Sequence, residues 1–157
     1  MGGQMSENGE IQFPAPSPAV QLRTALTEYL KEHLPYQCAT REGQIRSAWD
    51  TSGEITQPAG VYTSAIDRGG HNGLPGRVLV DVDLSATAWS HLNEDSTGME
   101  CDIIASCIQQ ILADFEPTLQ GWIVRGIDSW EAGEITVQDA FRQCEIKTTI
   151  YLQNSNY

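Results

Sequence analysis

One stretch of the chain alternates apolar and other residues from Arg77 to Trp89. Its sequence is RVLVDVDLSATAW, and every second position is aliphatic or small: Val78, Val80, Val82, Leu84, Ala86 and Ala88. Because successive side chains of a β-strand point to opposite faces, this period predicts a strand with one face in a core. Unbroken, at ~3.4 Å per residue, it would run roughly 44 Å, whereas a compact domain of this size is about 40 Å across. We therefore expect the strand to span the domain and to contact something outside it.

Other segments predict two helices. The first should begin with Ser17 as N-cap and Pro18 in the first turn, and should end at Pro35. Ahead of the second helix, Thr97 and Glu100 match the capping-box spacing. The second helix has a wide apolar stripe and is closed by Pro117, and the stripe residues are Ile103, Ile104, Cys107, Ile108, Ile111, Leu112 and Phe115.

Further strands are expected at residues 61–66, 122–130 and 142–152, and short ones at 37–40 and 44–49. The glycine-rich residues 67–76 predict a long loop with a projecting tip, and the polar residues 131–141 predict an exposed connection. These elements indicate an α+β fold. The economical arrangement is an antiparallel four-stranded sheet, with room for extra short strands, and two helices packed on one face. Residues 1–16 are expected to form a flexible N-terminal arm and residues 17–157 a single α+β domain.

The net charge of −12 excludes some classes of function. Phosphate contacts need clustered Lys and Arg, and the nine basic residues here are scattered. The charge therefore argues against an isolated nucleic-acid binder or a binder of anionic membranes. The four cysteines include no C-x-x-C pair and are expected to be reduced, buried thiols.

Residue patterns give little support for catalysis or for a bound cofactor. Asp81 and Asp83 should lie about 7 Å apart on one strand face, but no nearby histidine or third carboxylate completes a site. The three histidines lack metal-ligand spacing, and the glycine-rich loop lacks a G-K-[ST] ending. We therefore predict no catalytic residue, no metal site and no cofactor.

The order of elements resembles the tail-terminator (tail-completion) proteins of long-tailed bacteriophages. The features that carry the resemblance, over roughly residues 18–152, are LRTALTEYLKEHLP, VYTSAI, VLVDVDLSATAW, MECDIIASCIQQILADF and the closing pair WIVRGIDSWE and FRQCEIKTTIYLQ. It is a resemblance of layout and not of a diagnostic motif. It implies a virion subunit that forms a homohexameric ring, caps the tail tube, ends its polymerisation and docks to the neck or head.

The resemblance also implies the partners: other copies of the chain, the tail-tube protein and a neck or head-closure protein, with DNA passing through the lumen without specific binding. No enzyme activity is implied. Candidate subunit-contact or lumen-facing positions are Asp67, Arg68, His71, Arg77, Asp81, Asp83, Trp89 and Trp130. The alternatives are another neck or tail-tube subunit, or a small acidic enzyme or binding module with a polar pocket around Asp81, Asp83 and Arg125.

Overall fold

The structure is a computed structural model, and it describes residues 4–5, 11–12, 16–37, 45–47, 59–72 and 75–155. Two helices lie within these ranges, α1 (Pro18–Gln37) and α2 (Met99–Leu112). The strands are β1 (Gln4–Met5), β2 (Ile11–Gln12), β3 (Ile45–Ser47), β4 (Ala59–Asn72), β5 (Val78–His91), β6 (Trp122–Ile127), β7 (Glu131–Ala132), β8 (Thr136–Gln138) and β9 (Phe141–Asn154).

Seven of the strands form one mixed sheet in the order β3-β4-β5-β9-β6, and β7 and β8 also pair with β9. β3 runs parallel to β4, and the other pairs are antiparallel. The α+β class is therefore confirmed, but the expected set of four antiparallel strands is incomplete. It allowed for extra short strands such as β3 but not for a parallel pair, and it treated β7 and β8 as part of a connection.

The prediction of a plain exposed connection between β6 and β9 is wrong for the backbone, because part of that backbone pairs with β9. β6, β7 and β8 follow one another along a single edge of β9, from Trp122 opposite Asn154 to Gln138 opposite Phe141. The side chains of residues 131–140 are all exposed, as their polarity predicts. Polarity reports where side chains lie, whereas ladder hydrogen bonds use the backbone and leave no such pattern.

The glycine-rich segment also differs from its prediction. β4 continues to Asn72, so only residues 73–77 separate it from β5. The register shifts between Asp67 and Gly70, and Gly69 has a φ of 97°, which a residue without a Cβ adopts readily. The Asp67 carboxylate accepts a hydrogen bond from the Gly69 N–H at 2.8 Å. A β-bulge therefore replaces most of the expected loop.

β5 lies at the centre of the sheet and does not extend past its neighbours. It pairs with β4 from Val78 to Ser90 and with β9 from Leu79 to His91. At its start, the Asn154 side chain accepts a hydrogen bond from Val78 N–H at 2.9 Å and donates one to the Gly76 carbonyl at 2.8 Å. β5 therefore spans the sheet without protruding from it, because β4 and β9 are as long as β5; its contact with something outside the domain stays a prediction.

Both helices pack on one face of this sheet, as predicted. The Thr27 hydroxyl on α1 contacts the Thr63 hydroxyl on β4 at 2.6 Å, and the Tyr29 hydroxyl donates to the Ile111 carbonyl on α2 at 2.5 Å. One continuous core joins the two layers, and its fully buried large members include Leu22, Leu26, Leu30, Leu34, Leu84, Ile108, Leu112, Ile146, Ile150 and Leu152.

The start of α1 is confirmed, since the Ser17 hydroxyl accepts a hydrogen bond from Val20 N–H at 3.3 Å and Pro18 is the first helical residue. Its end lies two residues beyond Pro35. For α2, the predicted capping box is wrong. Gly98 occupies the N-cap with a φ of 76° and makes no side-chain cap. The cap comes instead from Asp95, whose carboxylate accepts hydrogen bonds from Glu100 N–H at 3.2 Å and Cys101 N–H at 3.1 Å.

Two regions of the sequence are described in part. Within residues 36–59, β3 agrees with the strand predicted at 44–49. Of the strand predicted at 37–40, Gln37 is instead the last residue of α1, and residues 38–40 lie outside the described residues. In the N-terminal segment, β1 and β2 pair antiparallel with each other and join no strand of the seven-stranded sheet.

Candidate functional site: the open face of the sheet

The face of the sheet opposite the helices, called the open face here, is the candidate site. Strand alternation places the even-numbered residues of β5 from Val80 to Ala88 under the helices and the odd-numbered ones on the open face. On the three long strands the open face includes Tyr62, Ser64, Ile66, Leu79, Asp81, Asp83, Ser85, Thr87, Trp89, His91, Phe141, Gln143, Glu145, Lys147, Thr149, Tyr151 and Gln153. Most of these side chains are polar, so the face is suited to contact with water or another polar surface.

Asp81 and Asp83 share this face, as the sequence predicts. Asp83 accepts a hydrogen bond from the Thr149 hydroxyl at 2.9 Å, and its other oxygen lies 3.6 Å from Nε of Arg68. The side chains of Asp83 and Arg68 are 42% and 62% exposed, so this ion pair contributes at most ~1 kcal/mol. In the part of the chain that the structure describes, no three His, Cys, Asp or Glu side chains are placed to hold a metal ion.

Tyr151 connects the open face to the loop after β6. Its hydroxyl donates a hydrogen bond to the Asp128 carboxylate at 2.8 Å. That hydrogen bond, together with partial desolvation and the negative charges of Asp128 and Asp81, raises the pKa of the Tyr151 phenol above its ordinary value, while Arg68 acts in the opposite direction. Tyr151 is therefore a neutral hydrogen-bond donor here and not an activated base.

An open concavity of about 740 Å³ occupies the middle of the face. Its described lining includes the hydroxyl groups of Tyr62, Ser64, Ser85, Ser129 and Thr149, and the charged side chains Arg68, Asp83, Asp128, Glu131, Glu145 and Lys147. The pocket predicted for a small acidic enzyme or binding module differs from this concavity, since it was placed around Asp81, Asp83 and Arg125. Arg125 instead donates a hydrogen bond to the Gln153 side-chain carbonyl, and neither Arg125 nor Asp81 belongs to that lining.

The aromatic candidates occupy two separate places. Trp89 is buried at one end of the open face, with its ring centroid 5.8 Å from those of both His91 and Phe141. Trp130 lies half-buried against the core, and its ring centroid is 6.2 Å from that of Phe115, which follows α2. The two tryptophans therefore do not form one surface.

The remaining candidates lie around the β4–β5 turn. Asp67 is exposed at the bulge, and the backbone of His71 pairs with Leu79 near the end of the hairpin. Arg77 is half-buried immediately before β5. The structure thus groups Arg68, Asp81 and Asp83 on the open face, places Trp89 at one end of that face, and leaves Asp67, Arg77 and Trp130 outside the group.

Sequence reasoning missed the contribution of β9 to this face. Lys147, Thr149 and Tyr151 alternate with the buried residues of β9, so the period that identified the core face also marks the opposite one. Asp128 gave no such signal, because it lies in a loop and reaches the face through its hydrogen bond with Tyr151.

Nucleophilic chemistry by the described cysteines is disfavoured by burial. Cys101, Cys107 and Cys144 are buried free thiols. Burial, the neighbouring Cys144 and Asp95 raise the pKa of the Cys101 thiol to about 11, so it is protonated near neutral pH.

Neither α1 nor α2 combines the length and the apolar character that a membrane-spanning helix needs.

No model of a known protein family matches the chain, and no curated protein sequence matches it either.

Proposed function

We propose that this protein is a structural subunit that forms a ring at the head–tail junction of a long-tailed bacteriophage, caps the tail tube and docks it to the neck. The observation that carries the proposal is the division of the domain into one helix-covered sheet face and one open face. Three strands of fourteen residues build the open face, which supplies a broad, ordered surface for contact.

The chemistry of the open face favours assembly over catalysis. Two carboxylates at this face are engaged by neutral or cationic partners, namely Asp83 by Thr149 and Arg68, and Asp128 by Tyr151.

The charge of the chain is compatible with a channel through which DNA moves. Six copies, each with a formal charge of −12, would together carry −72. Like charges repel, so a strongly acidic ring would not retain DNA in its lumen. A cyclic ring also needs a heterologous contact, in which two different surfaces of the subunit meet.

The test is the oligomeric state of the full-length protein, alone and with polymerising tail-tube subunits. We expect rings in negative-stain images and, for a hexamer of 17.3 kDa chains, a mass of about 104 kDa by light scattering. Rings should end growing tubes and shorten them. A protein that stays monomeric at high concentration and also fails to bind tubes overturns the proposal, whereas open-ended tubes of this chain alone would identify a tube subunit.

A small binding module is the second candidate, and the polar concavity favours it. Substitution of Asp83→Ala together with Lys147→Ala removes one charge of each sign from the concavity wall and leaves the net charge unchanged. A binding module should then lose ligand affinity, with little change in its oligomeric state. A ring subunit should retain its fold and show at most altered assembly.

A further inference from the structure

Exposed apolar side chains gather near the start of α2 and around β8. Of the seven large apolar residues that are exposed in the described part of the chain, four lie there. They are Met99, Ile103, Ile135 and Val137, which are 64%, 48%, 41% and 57% exposed. We call these four residues the α2–β8 patch. Grouped apolar side chains on a surface mark interaction sites, whereas single ones are ordinary.

The Arg142 side chain connects β8 to the start of α2. Val137 pairs with Arg142, so both side chains lie on the helix-covered face of the sheet. The Arg142 guanidinium donates hydrogen bonds to the carbonyls of Asp95 at 3.0 Å and Ser96 at 2.8 Å. A Cβ on Gly98 would lie 3.4 Å from Cδ of Arg142. One side chain therefore extends from beside Val137 to the residues directly before α2.

The flank of α2 also borders the segment before β8. The Cys144 thiol on β9 donates a hydrogen bond to the Gly133 carbonyl at 3.4 Å, and Ile135 lies between Gly133 and β8. Burial and then the negative charge of Asp102 raise the pKa of the Cys144 thiol, so Asp102 on α2 lies near this part of β9. The two parts of the α2–β8 patch therefore belong to one side of the domain.

The charged side chains around the patch are mainly acidic. Glu100 and Asp102 are exposed on α2, and Glu134 and Asp139 are exposed on either side of β8. Residues 92–103 and 133–142 contain a single basic residue, Arg142, whose guanidinium is directed to the carbonyls before α2. An apolar centre with a charged rim is the usual anatomy of a protein interface, and the rim selects a partner of opposite charge.

We propose that the α2–β8 patch docks a segment of a different protein in which lysine or arginine side chains flank apolar ones. The apolar side chains of that segment cover the patch, and its cations meet the surrounding carboxylates. This contact lies on the helix-covered side of the domain and goes beyond the ring of the proposed function, on which it does not depend.

Charge favours such a partner over segments of this chain. A second copy brings a further formal charge of −12, and its nine basic residues are scattered, so it offers no concentrated positive surface. Residues 1–16 contain Glu7 and Glu10 and no Lys or Arg. Like charges facing the carboxylates around the patch oppose both of these occupants.

A fluorescent amphipathic peptide of leucine and lysine is the probe, and anisotropy with the full-length protein measures its affinity. We expect the peptide to bind and its affinity to fall as salt is added, because the carboxylates around the patch are exposed. The same peptide with glutamate in place of lysine should not bind. Failure of the lysine peptide to bind, or equal binding of the glutamate peptide, would overturn the inference.

Isoleucines of equal exposure provide the first matched pair of variants. Ile103 in the patch and Ile123 on the open face are 48% and 47% exposed. Ile103→Ser should weaken peptide binding ~fivefold or more, and Val137→Ser should do the same if both parts form one surface, whereas Ile123→Ser should not. Circular dichroism checks that each variant retains its fold. Equal affinities for all three variants would contradict docking at the patch.

Paired carboxylates provide the second control. Glu100→Gln with Asp102→Asn should weaken binding and reduce its salt dependence. Asp114→Asn with Glu116→Gln removes the same charge at exposed positions beyond the end of α2 and should have little effect. Equal losses in the two double variants would show that the peptide responds to net charge alone and would overturn the inference. A loss of self-association in Ile103→Ser, with no peptide binding by the wild type, would assign the patch to a second copy instead.

Discussion

Asp95 and Cys101 are joined by a hydrogen bond of 3.1 Å from the Cys101 backbone N–H to the Asp95 carboxylate. The same carboxylate accepts a hydrogen bond from the Ser90 hydroxyl at 2.9 Å, and the Asp95 carbonyl accepts one from Nε of Arg142 at 3.0 Å. One buried residue therefore connects the ends of β5 and β9 to the first turn of α2. Since α2 covers the sheet over much of the core, this connection sets the position of α2 on the sheet.

Replacement of Asp95 by alanine should destabilise the fold. It removes the cap of α2 and leaves the buried Ser90 hydroxyl without its carboxylate partner. Caps and buried hydrogen bonds of this kind each contribute roughly 1–2 kcal/mol, so the free energy of unfolding should fall by about 2–4 kcal/mol. Urea denaturation followed by circular dichroism measures the change.

Glu94→Ala is the matched control for that substitution. Glu94 is exposed beside Asp95, and surface substitutions usually change stability by less than about 0.5 kcal/mol. Equal losses in the two variants would contradict a capping role for Asp95.

The capping carboxylate also predicts a dependence on pH. Burial raises the pKa of Asp95, but hydrogen bonds from Cys101, Glu100 and Ser90 and the charge of Arg142 outweigh burial and hold it below its ordinary value. The unfolded chain therefore binds the proton more tightly, so the stabilisation is complete above the unfolded pKa, near ~3.9, and is lost as the pH falls through the folded pKa. The stability difference between wild type and Asp95→Asn should be constant from pH 5 to 7 and should shrink below about pH 4. A difference that does not narrow in acid would refute this assignment.

The buried hydroxyl pair of Thr27 and Thr63 should show strong coupling. Thr27 donates to the Arg23 carbonyl at 2.8 Å, which leaves Thr63 as the donor in the 2.6 Å contact between the two hydroxyls. Thr27→Val alone leaves the fully buried Thr63 hydroxyl without that acceptor and should cost about 1–3 kcal/mol. With Thr63→Val added, the further loss should be small. A double-mutant cycle by chemical denaturation measures the coupling, and additive losses would contradict it.

Cys101 predicts a change of stability at high pH. Its thiol pKa is raised to about 11 chiefly by burial, so between the ordinary value near 9 and about 11 the unfolded chain loses the proton before the folded one does. The folded state should therefore lose stability as the pH rises through this range. The loss should be smaller in Cys101→Ala than in wild type when both are unfolded by urea at pH 8 to 10. Parallel curves for the two proteins would contradict this prediction, because they would show that Cys101 has the same protonation state in the folded and the unfolded chain.

The open-face ion pair should contribute little to folding. The side chains of Arg68 and Asp83 are 62% and 42% exposed, so Arg68→Ala should change the free energy of unfolding by no more than about 1 kcal/mol. A thermal melt compared with wild type measures this, with Lys31→Ala on α1 as a control for the loss of one positive charge. A loss of several kcal/mol would instead assign Arg68 a structural role.

Much of the fold could be predicted from local pattern. The alternation in β5 and β9 identified both core faces, and Ser17 with Pro18 located the start of α1. Each of these signals works because the period of side-chain burial follows directly from backbone geometry. The same alternation placed Asp81 and Asp83 together on the open face.

Other features depended on contacts between residues distant in the chain. Thr97 and Glu100 had the spacing of a capping box, yet Asp95 caps α2 because β5 and β9 bring Ser90 and Arg142 beside it. Residues 131–140 have the polarity of a loop, yet part of their backbone pairs with β9, which leaves the side chains in water.

The sequence by itself determined the α+β class, the two helices and the face of each long strand that enters the core, because burial of apolar side chains has a local period. Tertiary structure alone decided that β5 is central and flanked along its length, that Tyr151 donates to Asp128, and that Arg68 lies against Asp83. These contacts depend on strand order and register, which are set by the packing of the whole sheet against α1 and α2.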